Sequence, residues 1–348
     1  MNPYIISLLL FGLGLGTTIT FASSHWLLAW MGLEINTLAI IPLMSQRHHP
    51  RAVEATTKYF LTQATAAATI LFAATTNAWI TGQWDIHFMN HPAPLTMILL
   101  ALSLKIGLAP LHTWLPEVLQ GLDLTTGLIL STWQKLAPFF LLLQLPLNNQ
   151  NILVFLGLAS AFVGGWGGLN QNQLRKILAY SSIAHLGWMM LIIQFAPSLT
   201  LLALSMYLVM TSAAFLTLNL SKTTTINALA TSWSKAPLLT TMFPMVLLSL
   251  GGLPPLTGFL PKWLILQELT KQSLPFTATL AALTALLSLY FYLRLSYAMT
   301  LTVSPNNLAS STPWRLQTTQ AVTPVSLATM MSALLLPLTP GLTALLSL

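Results

Sequence analysis

Long apolar segments follow one another along almost the whole chain, and they constrain its fold more than any other feature. A helix that crosses a lipid bilayer needs roughly 20 mostly apolar residues, and about eleven segments meet this requirement. The first segment has no basic region before it and no small-residue cleavage site after it, so we expect it to be retained. The predicted spans are 3–21, 24–45, 55–80, 93–121, 123–145, 149–169, 173–194, 197–221, 237–269, 275–300 and 322–347.

The composition excludes a water-soluble globule. Only 5% of the 348 residues are charged and 55% are hydrophobic, whereas a soluble domain carries about 25% charged residues. The absence of cysteine excludes disulfides, cysteine-ligated zinc, iron–sulfur clusters and thiol nucleophiles on this chain. We therefore predict an all-α polytopic membrane protein with no metal or cofactor site of its own.

The basic residues predict the topology. The net charge is +7, but the basic residues are scattered, so we expect no nucleic-acid partner. The loops on the side opposite to the N-terminus carry only Lys271. Those on the N-terminal side carry Arg47, Arg51, Arg175, Lys176, Lys222, Lys235 and Arg315. Because Lys and Arg favour the cytoplasmic face, the N-terminus is predicted there or in the equivalent organellar compartment.

A repeated motif is the most specific internal feature. Residues 107–116 and 252–261 share the pattern G-L-x-P-L-x-x-x-L-P at a constant offset of 145 residues (252 − 107). Proline inside a helix removes a backbone donor and clashes with the preceding turn. Both spans should therefore break, and we predict the breaks at Gly107, Pro110, Gly252, Pro254 and Pro255.

The repeat also predicts the domain organisation. The two motifs fall five spans apart, so the chain should cross the membrane in opposite directions at the two breaks. We expect a first five-helix unit at 1–146, a second of inverted topology at 147–300, and a loop with a C-terminal transmembrane helix at 301–348. Inverted repeats with broken helices are typical of secondary transporters, in which ions are handled near the bilayer midplane. The alternative is that the prolines only tune packing in a membrane scaffold.

Most of the charged residues lie near the ends of the predicted spans, but four lie away from the ends, and a charge at the centre of a span costs about 3 kcal/mol. They are Glu34, Lys105, Lys135 and Lys262. Burial disfavours the charged form of an amine, and a nearby carboxylate favours it. We therefore expect these residues to form a proton relay in which Glu34 controls whether Lys105 holds or releases its proton. The alternatives are a static ion pair, or a side chain that extends to the interface, which is most credible for Lys262.

Two histidines and two acidic residues are further candidates. His112 and His185 could pass protons between the lysines, because imidazole titrates near neutrality. Each could equally be a neutral histidine hydrogen-bonded to a carbonyl. Glu117 and Asp123 lie near the basic end of the fourth span, where protons could enter, or they are ordinary solvated charges.

These residues together resemble a known family. Glu34, Lys105, the break at 107–112, Lys135 and the segment 253–262 are similar to the antiporter-like membrane subunits of respiratory complex I. The same superfamily includes multisubunit sodium/proton antiporters. The resemblance covers essentially the whole chain.

The resemblance implies a location, partners and residue roles. It implies that the chain lies in the mitochondrial inner membrane with its N-terminus in the matrix. Its partners would be neighbouring antiporter-like subunits, other membrane subunits and lipids. NADH oxidation and ubiquinone reduction would drive protons across the membrane. NADH, FMN, iron–sulfur clusters and ubiquinone would then be bound elsewhere in the complex. Glu34 and Lys105 would form a gating pair, Lys135 the central relay and Lys262 the terminal lysine. The usual family member has fourteen helices, so this chain would lack the first three.

Two other functions remain open at this point. A stand-alone cation/proton antiporter would be active when reconstituted by itself. A membrane scaffold that has lost transport would tolerate alanine at Lys105 or Lys135.

Overall fold

The secondary structure is helical throughout the part of the chain that the structure describes. The computed structural model describes residues 2–46, 49–89, 91–146, 150–234, 237–301 and 322–346. Over these residues it contains helices, turns and two isolated β-bridges, and no β-strand. This confirms the prediction of an all-α chain. Arg47, Lys235 and Arg315, which entered the topology prediction, lie outside the described residues.

The chain divides into two compact units at Gln150 and Asn151. The helices of the first unit are α1 (Pro3–Ala22), α2 (Trp26–Met44), α3 (Pro50–Thr81), α4 (Pro92–Ile106), α5 (Trp114–Gly121), α6 (Leu124–Ser131) and α7 (Trp133–Gln144). Those of the second are α8 (Gln150–Gly168), α9 (Leu174–Ile192), α10 (Pro197–Ser221), α11 (Ile226–Ala230), α12 (Pro237–Gly251), α13 (Phe259–Lys271), α14 (Pro275–Thr300), α15 (Thr323–Leu334) and α16 (Thr339–Leu346).

Several of these helices could cross a membrane. Among the described residues, 6 helical segments are long and apolar enough by themselves, and α15 with α16 makes a seventh if this bent pair is one span. The helices α3 and α9 are long enough but too polar to qualify. Most of α9 is buried among other helices, and a helix in that position can carry polar side chains that lipid would not tolerate.

Proline defines where many helices begin. Pro3, Pro50, Pro92, Pro197 and Pro275 each occupy the first position of a helix. Proline fits there because its fixed φ suits the helix and its missing N–H would have no partner within the helix. A high proline content is therefore compatible with an almost entirely helical chain.

In the first unit, α2, α3, α4 and α7 surround the interior. Helix α3 contacts α2, α4 and α5, while α7 contacts α1, α2 and α4. Helices α1 and α2 approach each other closely, since a Cβ on Gly16 would lie 2.8 Å from the carbonyl oxygen of Gly32. Such small-residue contacts let membrane helices touch through their backbones.

In the second unit, α10 is the central helix. It contacts α9, α12, α13, α15 and α16, and α14 packs against α12 and α13. The predicted final span, 322–347, is not straight, because α15 and the helix that follows it meet at 67°. Pro337 stands in the short 3-10 turn between them, where it removes a backbone donor.

Candidate functional site

Both predicted helix breaks are present, and they share the same local geometry. Helix α4 ends at Ile106 and α5 begins at Trp114, while α12 ends at Gly251 and α13 begins at Phe259. Each pair of positions is separated by the same 145 residues (251 − 106; 259 − 114). The local structure therefore follows the sequence motif residue by residue.

Glycine is required at the first residue of each break. Gly107 has φ 86° and Gly252 has φ 78°, and residues with a Cβ rarely adopt this left-handed conformation. In each break, the amide N–H groups of the glycine and the following leucine donate to one carbonyl of the preceding helix, that of Ser103 or Leu248. The peptide bonds before Pro110 and Pro255 are both cis.

Lys105 and Lys135 border the same cavity in the first unit. The cavity has a volume of about 20 Å³ and lies between α2, α3, α4 and α7. Lys105 is 7% exposed and Lys135 is 2% exposed. The polar side chains that line the cavity with the two lysines are those of Asn36, Thr37, Tyr59, Gln63 and Gln134. The structure thus brings together two lysines that are 30 residues apart in sequence (135 − 105).

Glu34 lies close to this cluster without pairing tightly. Its carboxylate is within electrostatic range of Lys105 and Tyr59. Within the described chain, Oε2 of Glu34 and Nζ of Lys105 are both buried and neither has a hydrogen-bond partner. A static ion pair would join these atoms directly, so the arrangement differs from that alternative.

Neighbouring aromatic and amide groups hold the cluster in place. The indole N–H of Trp114 donates to the carbonyl of Leu104 at 3.0 Å, which joins α5 to α4 across the break. The ring of Tyr59 packs against Trp114 with ring centroids 5.8 Å apart. The amide of Gln63 donates to the backbone carbonyl of Lys105 at 3.4 Å.

The helix that carries Lys135 is kinked, which the sequence analysis did not predict. The predicted span 123–145 consists of α6 and α7, separated at Thr132, whose φ and ψ are −110° and −69°. The hydroxyl of Thr132 donates to the carbonyl of Leu128 at 2.7 Å. Threonine back-bonding of this kind often bends helices. Lys135 lies in the first turn after the kink.

Lys262 is held differently from Lys105. Its ammonium donates to the carbonyl oxygens of Gly251 at 2.8 Å and Leu250 at 3.4 Å. These carbonyls lie at the C-terminus of α12, where they have no partner within the helix and where a positive charge is favourable. Lys262 therefore turns back onto its own break, and it also borders a mostly apolar cavity of about 660 Å³.

The corresponding position in the first break is Glu117 (262 − 117 = 145). Its Oε2 is 2.8 Å from Nζ of Lys58 on α3, and both side chains are about half exposed. Lys58 also bonds Glu54 at 2.8 Å, and this hydrogen bond holds the pKa of the Glu54 carboxyl below its usual value. Asp123 is half-buried just before α6.

The two histidines have different surroundings. His112 lies in the turn of the first break, with Nδ1 3.3 Å from the carbonyl oxygen of Pro110. His185 lies inside the second unit, where its Nε2 is 3.5 Å from the hydroxyl of Tyr292 and its ring is 5.8 Å from that of Tyr207. The hydroxyl of Tyr207 lies near Ser182, and that of Tyr292 lies near Ser181.

Uncharged polar residues surround these groups, and the sequence alone did not predict them. Asn36, Gln63 and Gln134 line the first cavity, and Tyr207 and Tyr292 adjoin His185. An amide or a phenol inside an apolar span costs less than a charge, so it attracts less attention. A search for mid-span amides within one turn of Glu34 or Lys135 would have identified Asn36 and Gln134.

Within the described ranges, no group of three or more His, Asp or Glu side chains could hold a metal ion.

Comparison with known proteins places this architecture in a family. Residues 23–288 match the family described as NADH:quinone oxidoreductase/Mrp antiporter, and residues 289–343 match the NADH dehydrogenase subunit 2 C-terminus. NADH-ubiquinone oxidoreductase chain 2 of Tetraodon nigroviridis is 75% identical over 342 residues, which cover 98% of each chain. The chain 2 protein of Oncorhynchus mykiss is 70% identical and is covered over its full length.

Solved structures agree with the sequence comparison. A chain of respiratory complex I from Thermus thermophilus, solved with bound aureothin, has a TM-score of 0.83 and 29% identity, covering 97% of this chain and 80% of that one. A chain of an archaeal membrane-bound sulfane sulfur reductase shares the fold, with a TM-score of 0.87 and 17% identity over 97% of this chain and 74% of that chain. The chain is therefore a multi-pass membrane protein that belongs to the NADH:quinone oxidoreductase/Mrp antiporter family, and within it to the NADH-ubiquinone oxidoreductase chain 2 proteins.

Proposed function

We propose that this chain is an antiporter-like membrane subunit of NADH:ubiquinone oxidoreductase and translocates protons across the mitochondrial inner membrane. Oxidation of NADH and reduction of ubiquinone in other subunits of the complex drive the transfer. The chain works beside other membrane subunits, including neighbouring antiporter-like ones. The single observation that carries the proposal is the cavity shared by Lys105 and Lys135, with Glu34 within electrostatic range.

The lysines transfer the proton, and Glu34 controls the transfer. While the Glu34 carboxylate is anionic and near, it stabilises the ammonium of Lys105, which holds its proton. When that carboxylate moves away or is protonated, burial disfavours the ammonium, and Lys105 releases a proton toward Lys135. His185 and Lys262 continue the path in the second unit, and Glu117 and Asp123 lie where protons enter. His112 relays protons beside the first break.

The proposed topology has eleven spans. Residues 1–146 and 147–300 form two five-helix units of inverted orientation, and the segment 301–348 supplies the last span. The N-terminus lies in the matrix. The equal geometry of the two breaks supports this arrangement, since two copies of one folded unit would each carry one.

The experiment replaces Lys105 or Lys135 by alanine in the assembled complex and measures protons pumped per NADH oxidised. We expect each change to lower this ratio, because each removes a proton-carrying group. The control is Lys271→Ala, since the side chain of Lys271 is 61% exposed and pairs with nearby Glu268. Unchanged pumping in both variants would instead identify a scaffold.

Two further measurements distinguish the alternatives. A native gel shows whether the chain migrates with a very large complex, and transport by the reconstituted chain alone would indicate an independent antiporter. A double-mutant cycle with Glu34→Gln and Lys105→Ala tests the gating pair. Strictly additive effects on pumping would count against coupling between the two residues.

A further inference from the structure

Helix α15 ends with a buried carbonyl group that its own helix cannot satisfy. Ser332 is 0% exposed and lies in the last turn of α15, just before the turn that contains Pro337. The carbonyl groups of a last helical turn have no partner within the helix. Because a buried carbonyl without a donor destabilises the fold, this one needs a donor from another part of the chain.

The donor comes from the second helix break. The hydroxyl of Thr257 donates to the carbonyl of Ser332, and Thr257 is itself buried. Helix α15 also packs against α10 and α12. The hydrogen bond therefore joins the segment between α12 and α13 to the end of α15.

The same segment positions Lys262. Next to Thr257, Gly258 lies so close to α12 that an added Cβ would collide with the carbonyl oxygen of Ser249. Lys262 follows four residues later (262 − 258), about one helical turn along α13. Its ammonium reaches back to the carbonyl of Gly251. A shift of the backbone at Thr257 would therefore move the lysine away from the end of α12.

The first break has a different side chain at the position of Thr257. The equivalent residue is His112 (257 − 112 = 145), and its Nδ1 contacts the carbonyl of Pro110 within the same break. The two breaks share their backbone geometry, but different contacts hold them. At the second break, the contact is with α15, which follows both motifs in the sequence.

We infer that Thr257 is a positioning residue of the proton path, which fastens the second break to α15 and so keeps Lys262 at the end of α12. This inference rests on the proposed function, in which Lys262 carries protons. The hydroxyl of Thr257 neither gains nor loses a proton. The last span then contributes to transport although its described residues, 322–346, include no charged side chain.

The test uses Thr257→Val and Thr257→Ser in the assembled complex. Valine has the shape of threonine but cannot donate a hydrogen bond, whereas serine retains the hydroxyl and loses only a methyl group. We expect Thr257→Val to lower the protons pumped per NADH toward the level of Lys262→Ala, and Thr257→Ser to retain most of the pumping. A role in packing alone would give the opposite order, because valine fills the site and serine leaves a gap.

A double-mutant cycle shows whether Thr257 acts through Lys262. If it does, Thr257→Val should cause no further loss of pumping when Lys262 is already replaced by alanine. Additive losses in the double variant would overturn the inference, because Thr257 would then act independently of the lysine.

Thr217 provides a matched control. It is buried in α10 of the same unit, and its hydroxyl donates to the carbonyls of Ala213 and Ala214 in its own helix, each at 2.9 Å. Those carbonyls also accept N–H groups of the helix, so valine leaves neither of them without a donor. We expect Thr217→Val to leave the protons pumped per NADH unchanged, and a loss equal to that of Thr257→Val would overturn the assignment.

A density map of the unmodified complex tests the contact even if a variant fails to assemble. A hydroxyl of Thr257 within hydrogen-bond distance of the Ser332 carbonyl supports the inference, and a separation of the two groups overturns it. Normal pumping by Thr257→Val beside deficient Lys262→Ala overturns only the role of Thr257. Normal pumping by Lys262→Ala overturns the place of Lys262 in the proposed function, and the inference with it.

Discussion

Replacement of Lys105 and Lys262 by methionine should change local stability in opposite directions. Lys105 is buried with an ammonium that has no hydrogen-bond partner in the described chain. A charge at the centre of a span costs about 2.5–3.5 kcal/mol, and replacement of a buried ionic group by an apolar one of similar size is often stabilising by about 1–4 kcal/mol. Because some attraction to Glu34 is also lost, we expect Lys105→Met to stabilise α4 by about 1–2 kcal/mol.

Lys262→Met has the opposite expected effect. The ammonium of Lys262 satisfies the carbonyls of Gly251 and Leu250, and its loss leaves two acceptors at the end of α12 without a partner. Each such acceptor costs about 1–3 kcal/mol when it is buried. Since this lysine is only half-buried, we expect a net loss of about 1–2 kcal/mol at the second break.

Hydrogen–deuterium exchange of the assembled complex measures both effects. Amide protection reports local opening, and about 1.4 kcal/mol corresponds to a tenfold change in an opening equilibrium. Peptides from α4 should become about tenfold better protected in Lys105→Met, and peptides from α12 and α13 about tenfold less protected in Lys262→Met. The control Lys271→Met should change neither.

Reduced protection of α4 in Lys105→Met would refute this reasoning. It would mean that the buried ammonium of Lys105 stabilises α4, as a static ion would. Increased protection together with reduced pumping would separate the role of this lysine in transport from any role in folding.

Two further predictions concern packing. Gly16→Ala should destabilise the contact between α1 and α2 by about 1–3 kcal/mol, because the new methyl would lie 2.8 Å from the carbonyl oxygen of Gly32. Gly14→Ala is the matched control, with nothing within 4 Å of the new methyl, and equal thermal stability of the two variants in the complex would contradict the prediction. Arg294→Gln should destabilise the second unit by about 1.5–3 kcal/mol, since hydrogen bonds from a charged donor are strong, and the guanidinium of Arg294 donates to the carbonyl of Leu169. Faster amide exchange in peptides that contain Leu169 would measure this loss, and unchanged exchange would exclude it.

Local rules were sufficient for several features of this chain. The apolar segments predicted an all-helical chain, and the prolines at 110, 254 and 255 predicted where two of its helices break. The glycine at each break follows from a backbone conformation that other residues rarely adopt, as the φ values of Gly107 and Gly252 illustrate. The cost of a charge in lipid singled out Glu34, Lys105, Lys135 and Lys262. All of these inferences depend on interactions within a few residues or on transfer from water to lipid, and both can be evaluated along a single segment.

The tertiary structure decided which of these groups face one another. Packing of α2, α3, α4 and α7 places Lys105 and Lys135 at one cavity with Asn36, while Lys262 bonds the end of its own broken helix. The kink at Thr132 and the pairing of Glu117 with Lys58 also arise only in the folded chain. Such contacts depend on how helices rotate and cross, which is set by the combined packing of side chains distant in sequence. For this reason the sequence identified the charges, and the fold determined their partners.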